Sequence, residues 1–149
     1  MLKETLIKLY DRDIGKLRDE IAAYREEANL WRSDKAVSNS AGNLCLHLIG
    51  NLNAFIGAEI GDSGYERDRD REFSDKDIPR EELLRMIDET RAVVVNVLVD
   101  IRPEIFWDEY PLIVFESRMT TGYFLVHLAT HLNYHLGQIN YHRRLLDAA

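Results

Sequence analysis

Apolar residues recur every three or four positions through residues 2–28, and charged residues fill most of the positions between them. An α-helix turns once in about 3.6 residues, so this spacing places the apolar side chains along one face. The pattern therefore predicts a first amphipathic helix, followed by a polar connector at residues 31–35. The apolar positions are Leu6, Leu9, Tyr10, Ile14, Leu17, Ile21, Tyr24 and Ala28.

The next segment carries no formally charged residue between Ala36 and Ala58. Several N-cap candidates lie at positions 38–40, so a second helix is predicted to begin there. A helix that is apolar nearly all round is buried on most of its sides. Two explanations stay open: this helix is the central one of a bundle, or one of its sides forms the interface of a homodimer.

A charged stretch separates the second helix from the third. Residues 61–64 are of turn-forming types and are predicted to end the second helix. The alternating charges of residues 65–77 are typical of a solvated loop. Pro79 suits the first turn of a third helix, and apolar spacing extends this helix to about Ile101.

The segment 102–119 has no clear periodicity, and its run LIVFES fits either a short strand or an irregular crossover. Thr120 is an N-cap candidate for a last helix that runs to about Leu146. The pattern thus predicts an all-α chain of four long helices, with one long crossover before the last helix. Its length is most simply explained by a single domain, residues 1–149.

Composition narrows the classes of partner. The formal net charge of -7 argues against binding to nucleic acid and leaves small molecules and other proteins as candidates. No run approaches the roughly 20 apolar residues of a membrane span, and the charged N-terminus lacks the apolar core of a signal peptide. The single cysteine, Cys45, cannot form an internal disulfide. We therefore expect a cytoplasmic protein that does not bind membranes.

Four of the five histidines lie on one stripe of the predicted last helix: His127, His131, His135 and His142. Each step of four residues advances about 40° past a full turn, so the rings stay on one face. A histidine pair at i and i+4 directs both rings toward one point and is typical of a metal site. The metalloprotease pattern His-Glu-x-x-His does not occur.

The fifth histidine, His47, lies midway along the uncharged second helix. A buried imidazole needs a polar partner. Asn43 and Asn51 lie one turn away on the same stripe, and the small residues Gly50 and Ala54 leave space beside the ring. If this stripe packs against the last helix, three imidazoles converge from two helices. Catalytic zinc sites use such a set with an open fourth position, and nickel also accepts it.

Two stretches carry a family resemblance. HLATHLNYHLGQI, residues 127–139, resembles the last helix of the DinB/YfiT-like superfamily of metal-dependent hydrolases, in which a His-x-x-x-His pair is followed shortly by Gly-Gln. NLCLHLIGNLNAFIGAEIGDSGYERDRDREFS is similar to an uncharacterised branch of that superfamily. The resemblance implies an antiparallel four-helix bundle, often dimeric, whose metal ion is held by His47, His131 and His135. Leu136 stands where the superfamily commonly has a basic residue, which is not a ligand position.

Four further polar side chains are predicted to lie in the pocket or behind the ligands. His127 is expected to line the pocket or to hydrogen-bond a ligand, although it could also compete as a ligand. Gln138 is expected to orient a ligand ring or a bound water, and Asn43 and Asn51 complete the set. His142 is expected to be structural. Cys45 lies about 200° around the helix from His47, so we expect neither a ligand nor a nucleophile there.

The resemblance implies a metal-dependent enzyme that acts on a small molecule, either as a hydrolase or as a transferase of low-molecular-weight thiols. No carboxylate lies at helical spacing beside the histidines to act as a general base, and Glu59 is three turns from His47. This weakens the hydrolase interpretation. The alternatives are a non-catalytic metal-binding or structural dimeric bundle, and a family member without metal. Arg67, Arg69 and Arg71 either attract an anionic substrate or belong to the solvated loop.

Overall fold

The computed structural model describes residues 1–148, and among these residues it contains helices and no β-strand. The predicted all-α class is confirmed. A π-helical segment, Asn53–Ala58, continues the second helix directly, and short 3-10 helices lie at Glu27–Trp31 and Pro103–Trp107. The α-helices are α1 (Leu2–Ala22), α2 (Ala41–Leu52), α3 (Arg69–Ser74), α4 (Arg80–Asp100) and α5 (Thr121–Leu146).

The predicted caps begin two of the long helices. At α2, Ser40 Oγ accepts a hydrogen bond from the backbone N–H of Asn43 at 3.2 Å. At α5, Thr120 Oγ1 accepts one from the backbone N–H of Tyr123 at 3.1 Å. These side chains satisfy N–H groups that the first helical turn leaves without partners.

The first helix ends earlier than its apolar pattern predicts. α1 stops at Ala22, and the chain bends before the 3-10 helix that follows. The carboxylate of Asp147 accepts hydrogen bonds from the backbone N–H groups of Arg25 and Glu26, at 2.6 and 3.1 Å. Those N–H groups are therefore taken by a distant side chain, which explains why the helix does not continue.

Contacts between side chains give the directions of the long helices. Tyr10 in α1 donates a hydrogen bond to the carbonyl of Leu125 at 2.6 Å, and Tyr24 beyond its end donates one to His142 at 2.7 Å. α1 and α5 therefore run parallel. Contacts of the π-helical segment show that α2 and α4 also run parallel, because Asn53 bonds Thr90 and Gly57 lies against Val93.

The other two neighbouring pairs run in opposite directions. Arg91 of α4 pairs with Asp11, while Lys3 bonds the carbonyl of Val99, so α1 and α4 are antiparallel. α2 and α5 are also antiparallel, as the contacts of His47 with α5 and of Phe55 with Phe124 show. The antiparallel packing that the resemblance implies is therefore confirmed for these two pairs, but it is wrong for α1 with α5 and for α2 with α4.

These directions also correct the position of the crossover. Because α2 and α4 run parallel, the chain must travel back along the helices between them, and residues 59–79 make this return. The segment 101–120 is also long, but it joins the end of α4 to the start of α5 at the same end of the bundle, because these two helices run in opposite directions. Within it the LIVFES run is irregular, next to an isolated bridge between Glu109 and Thr120.

The second helix is the central one. All 12 residues of α2 are buried, against α3, α4, α5 and the ring of Trp31, which lies on Gly42. Burial within one chain accounts for the absence of charge without a second copy, so the homodimer stays a prediction. Among the described residues, no helix has both the length and the apolar character that crossing a membrane requires.

Candidate metal centre

The antiparallel packing of α2 against α5 brings three of the five histidines together. His47 projects from α2, and His131 and His135 project from successive turns of α5. The Nε2 atom of His131 lies 3.2 Å from Nε2 of His47 and 3.1 Å from Nε2 of His135. Each of the three residues offers a nitrogen within 4.8 Å of the other two. The structure thus juxtaposes the three residues that the resemblance implies as ligands.

Hydrogen bonds on the far sides of two rings fix their tautomers. His47 Nδ1 lies 3.1 Å from Oε1 of Glu72, and a carboxylate accepts, so Nδ1 carries the proton. His135 Nδ1 donates in the same way to Oε1 of Gln138 at 2.7 Å. In the neutral rings both Nε2 atoms therefore present lone pairs toward His131.

The donor set fits a divalent cation. Two nitrogens bound tetrahedrally to zinc, each at about 2.0–2.1 Å, lie about 3.3 Å apart. The separations of 3.2 and 3.1 Å between the Nε2 atoms are close to this value. A single proton on His131 Nε2 can serve only one of the two facing lone pairs, whereas a cation is attracted to all three nitrogens. Three neutral imidazoles suit zinc or nickel.

The electrostatics of the cluster favour the neutral form of two of its rings, those of His131 and His135. Burial in the first place, and then the neighbouring His135 and His47, together lower the pKa of His131 to about 4. Burial also lowers the pKa of His135, partly offset by its bond to Gln138. A histidine must be neutral to bind a metal through its lone pair, so these shifts leave the rings ready to act as ligands near pH 7.

The prediction of a solvated loop at residues 65–77 is wrong for part of that run. Residues 69–74 form α3, which packs on α2, and Glu72 is only 6% exposed. Arg67 donates two hydrogen bonds to the Glu72 carboxylate, at 2.8 and 2.9 Å. Burial raises the pKa of Glu72, but the hydrogen bonds from His47 and Arg67 outweigh it and hold that pKa below its ordinary value.

Glu72 is the residue that sequence reasoning missed. The space that Gly50 leaves beside His47 is filled by this carboxylate, because a Cβ atom at position 50 would lie 2.6 Å from Glu72 Cδ. Phe73 follows it, with its ring centroid 5.0 Å from that of His47. A signal existed in the pair Glu72-Phe73, since an aromatic residue within a charge run indicates a buried side.

The arginines of the charged run differ in position. Arg67 reaches the site through Glu72, and its Nη2 also lies 3.4 Å from Nδ1 of His47. Its guanidinium lies 5.6 Å from the ring centroid of Phe55. Arg69 lies over the ring of Phe73, and the exposed Arg71 pairs with Asp75. Of these three arginines, only Arg67 therefore contacts the buried Glu72.

The polar residues predicted beside the ligands have separate positions. Gln138 bonds Nδ1 of His135 and so orients that ring, which agrees with one of its two predicted roles. Asn43 does not line a pocket: its amide donates to the carbonyls of Glu72 and Asp75, at 2.9 and 2.8 Å, and so anchors α3 on α2. Asn51 is 6% exposed, and its Oδ1 has no hydrogen-bond partner among the described residues.

His127 lies outside the cluster of three nitrogens. Its ring packs among aromatic side chains, with centroids 4.8 Å from Phe115 and 6.0 Å from Phe124. It lies one turn before His131 on α5, and its predicted place in the pocket stays a prediction.

His142 and Cys45 also lie apart from the cluster. His142 accepts a hydrogen bond from Tyr24 at 2.7 Å and donates one to the carbonyl of Arg32 at 2.8 Å, which is the structural role expected. Cys45 is fully buried, and burial raises the pKa of its thiol to about 12. A protonated, buried thiol is unreactive.

Comparison with known proteins agrees with the DinB-like part of the resemblance. A search of curated proteins finds no match to the chain. A family model described as "Protein of unknown function (DUF1572)" matches residues 4–149 and so covers nearly the whole chain. This family is DinB-like and has no assigned activity. The chain therefore belongs to the DUF1572 family, a DinB-like family of unknown function.

Proposed function

We propose that this chain is a metal-binding protein with a DinB-like four-helix bundle, in which His47, His131 and His135 hold one divalent cation, zinc or nickel. The observation that carries the proposal is the convergence of three Nε2 atoms from two helices, with two tautomers fixed by Glu72 and Gln138. A purely structural cluster would orient its rings so that donors meet acceptors. Here one proton on His131 Nε2 can serve only one of the two facing nitrogens, so in the neutral cluster at least one lone pair meets no donor within it.

Unpartnered polar atoms support a functional site. Three buried side-chain nitrogen or oxygen atoms lack a hydrogen-bond partner among the described residues, and two of them belong to His131 and Asn51. Buried polar groups without partners are rare in folded proteins. The unpartnered atom of His131 is Nδ1, which a cation at the Nε2 atoms would not contact. The support therefore comes from Asn51 Oδ1, one turn from His47, where a polar ligand would complete the bonding.

The same site supports an enzyme that acts on a small molecule. A cation held by three neutral imidazoles keeps its full charge, and it supplies Lewis-acid chemistry that lowers the pKa of a bound water or thiol. Glu72 bonds His47 Nδ1, on the side of the ring away from Nε2, and both its oxygens are bonded to Arg67. Among the described residues, no carboxylate joins the three imidazoles in the cluster.

The absence of a free carboxylate there favours thiol transfer over hydrolysis. A thiol has a pKa of about 8.5 and loses its proton to solvent without a dedicated base, whereas a water attacking an amide needs one. The same observation favours the second candidate, a metal-binding protein without catalysis. In that case the ion stabilises the fold and no substrate is turned over.

Metal analysis of protein purified without a chelator or a histidine tag tests the site. We expect about one ion per chain and a melting temperature that rises with zinc concentration. At a hundredfold excess over the dissociation constant, the stabilisation is about 2.7 kcal/mol, or roughly 5–11 °C for a chain of this size. His131→Ala should abolish the shift. The matched control His142→Ala should lower the starting melting temperature and keep the shift.

Substoichiometric metal that does not change in His47→Ala would contradict the proposal. The metal-loaded protein then separates the reaction classes. We expect conjugation of 1-chloro-2,4-dinitrobenzene only when a low-molecular-weight thiol such as cysteine or glutathione is supplied. Hydrolysis of ester or amide substrates without thiol would instead identify a hydrolase. Stabilisation by metal with no turnover in either assay would support the non-catalytic alternative.

A further inference from the structure

We propose that Glu72 is a positioning residue of the metal centre, and that metal binding and the docking of α3 on α2 strengthen each other. This inference rests on the proposed metal site. It concerns the return segment between α2 and α4, whose α3 carries the carboxylate to His47.

The geometry provides a direct connection from α3 to the proposed ligand. Glu72 Oε1 accepts from Nδ1 of His47, and the opposite side of the same ring faces the Nε2 atoms of α5. Arg67 holds both oxygens of the carboxylate in a fork, at 2.9 Å to Oε1 and 2.8 Å to Oε2. The carboxylate therefore has one orientation, and it imposes one tautomer and one ring position on His47.

The chemistry of the imidazole couples its two nitrogens. A carboxylate bonded to Nδ1–H makes Nε2 a stronger electron donor and fixes its direction, which strengthens metal binding. Electron withdrawal by a cation at Nε2 makes Nδ1–H a stronger hydrogen-bond donor, which strengthens its bond to Glu72. Coupling of two binding equilibria is reciprocal, so each must stabilise the other by the same factor.

A second anchor keeps α3 in place when that coupling is removed. The amide of Asn43 bonds the backbone carbonyls of Glu72 and Asp75 without involving the Glu72 side chain. Variants at the Glu72 carboxylate should therefore keep α3 near α2 while changing only the bond to His47. This separates a positioning role from a merely structural one.

Zinc affinity, measured by competition with a chromophoric chelator, tests whether Glu72 strengthens metal binding. We expect Glu72→Ala to weaken zinc binding about 10- to 100-fold, the range typical of partners behind metal-bound histidines. Glu72→Gln retains an acceptor oxygen at that position and should weaken it less. The matched control is Asp70→Asn, which removes the same charge from an exposed position of the same short helix and should change affinity by less than about twofold.

Hydrogen exchange of the backbone amides of residues 69–75 tests whether metal binding strengthens the docking of α3 on α2. Zinc should slow exchange there in the wild-type chain and in Asp70→Asn, but not in His131→Ala, which keeps every contact of Glu72. In Glu72→Gln the slowing should be smaller. A readout at α3 is needed because a merely structural Glu72 would change exchange equally with and without zinc.

The outcomes distinguish the two proposals. If the wild-type chain binds no zinc, the metal site and this inference both fail. If it binds zinc and Glu72→Ala binds it equally well, or if zinc leaves α3 exchange unchanged, this inference alone fails. Should Glu72→Ala not fold, Glu72→Gln with the Asp70→Asn control gives the same comparison.

Discussion

Replacing Gly50 by alanine should remove the Glu72 carboxylate from the site without changing any charged residue. A Cβ atom at position 50 would lie 2.6 Å from Glu72 Cδ, and closer still to Oε2. These are far ends of a flexible side chain, so the carboxylate moves rather than the backbone. It then loses its bonds to His47 and Arg67.

The magnitude follows from two opposing effects. Losing hydrogen bonds to a charged, buried group costs about 1.5–3 kcal/mol for each one that water does not replace, and we count one to two such losses. Alanine in place of glycine within a helix contributes up to about 1 kcal/mol in the opposite sense. We therefore expect Gly50→Ala to lower the free energy of unfolding by about 1–3 kcal/mol and to weaken zinc binding about 10-fold or more.

Urea denaturation of the metal-free protein and chelator competition measure the two effects. Gly137→Ala is the matched control, because this glycine is also helical and a Cβ atom there meets nothing within 4 Å. It should stabilise the chain by about 0.5–1 kcal/mol and leave zinc affinity unchanged. If Gly50→Ala behaved like Gly137→Ala in both measurements, the close packing of Glu72 against α2 would be refuted.

Three further predictions concern the residues around the site. The pKa of His131 is lowered from 6.5 to about 4 in the folded chain. Between these two pH values, this histidine is therefore protonated in the unfolded chain but neutral in the folded chain. The free energy of unfolding of the metal-free protein should fall by about 1–2 kcal/mol from pH 7 to 5, and His131→Ala should show a smaller fall. An equal fall in the wild-type chain and in His131→Ala would contradict this. Tyr24→Phe removes the bond to His142 and should cost about 1–2 kcal/mol in urea denaturation; a change in zinc affinity would contradict its structural role. Cys45 should react with Ellman's reagent only on unfolding, and rapid labelling of the native chain would refute its burial.

The positions of the long helices could be predicted because their signals are local. Periodicity located α1, α4 and α5, and the side chains of Ser40 and Thr120 fixed two starting points. The three imidazoles were predictable for a related reason. His127, His131 and His135 follow one another at intervals of one turn, so spacing alone left His127 open as a ligand. The resemblance, through Gly137-Gln138, implied the pair His131 and His135, and His47 was the one histidine on the second helix.

The helix directions could not be predicted, because they depend on long-range packing. The parallel pair α2 and α4 meets where Gly57 and Gly61 allow Val93 and Val97 to approach closely. Glycines near the end of a predicted helix carry no such information, since they are also typical of a helix end.

Glu72 was hidden for a comparable reason. It follows His47 by 25 residues and lies among charged neighbours, so spacing did not connect it with His47, and the adjacent Phe73 was the one local sign of a buried side. Its burial depends on Gly50 and Arg67 together, and neither residue is unusual on its own.

The parallel course of α1 and α5 places the first and last helical residues at opposite ends of the molecule. α1 has 21 residues and α5 has 26, so the start of one and the end of the other are separated by on the order of 30–40 Å. A circular permutant would need a linker of roughly a dozen extended residues to rejoin them. Two fluorescent labels attached at these helix ends would be held apart by the rigid length of the folded chain, and the transfer of energy between them would report its unfolding.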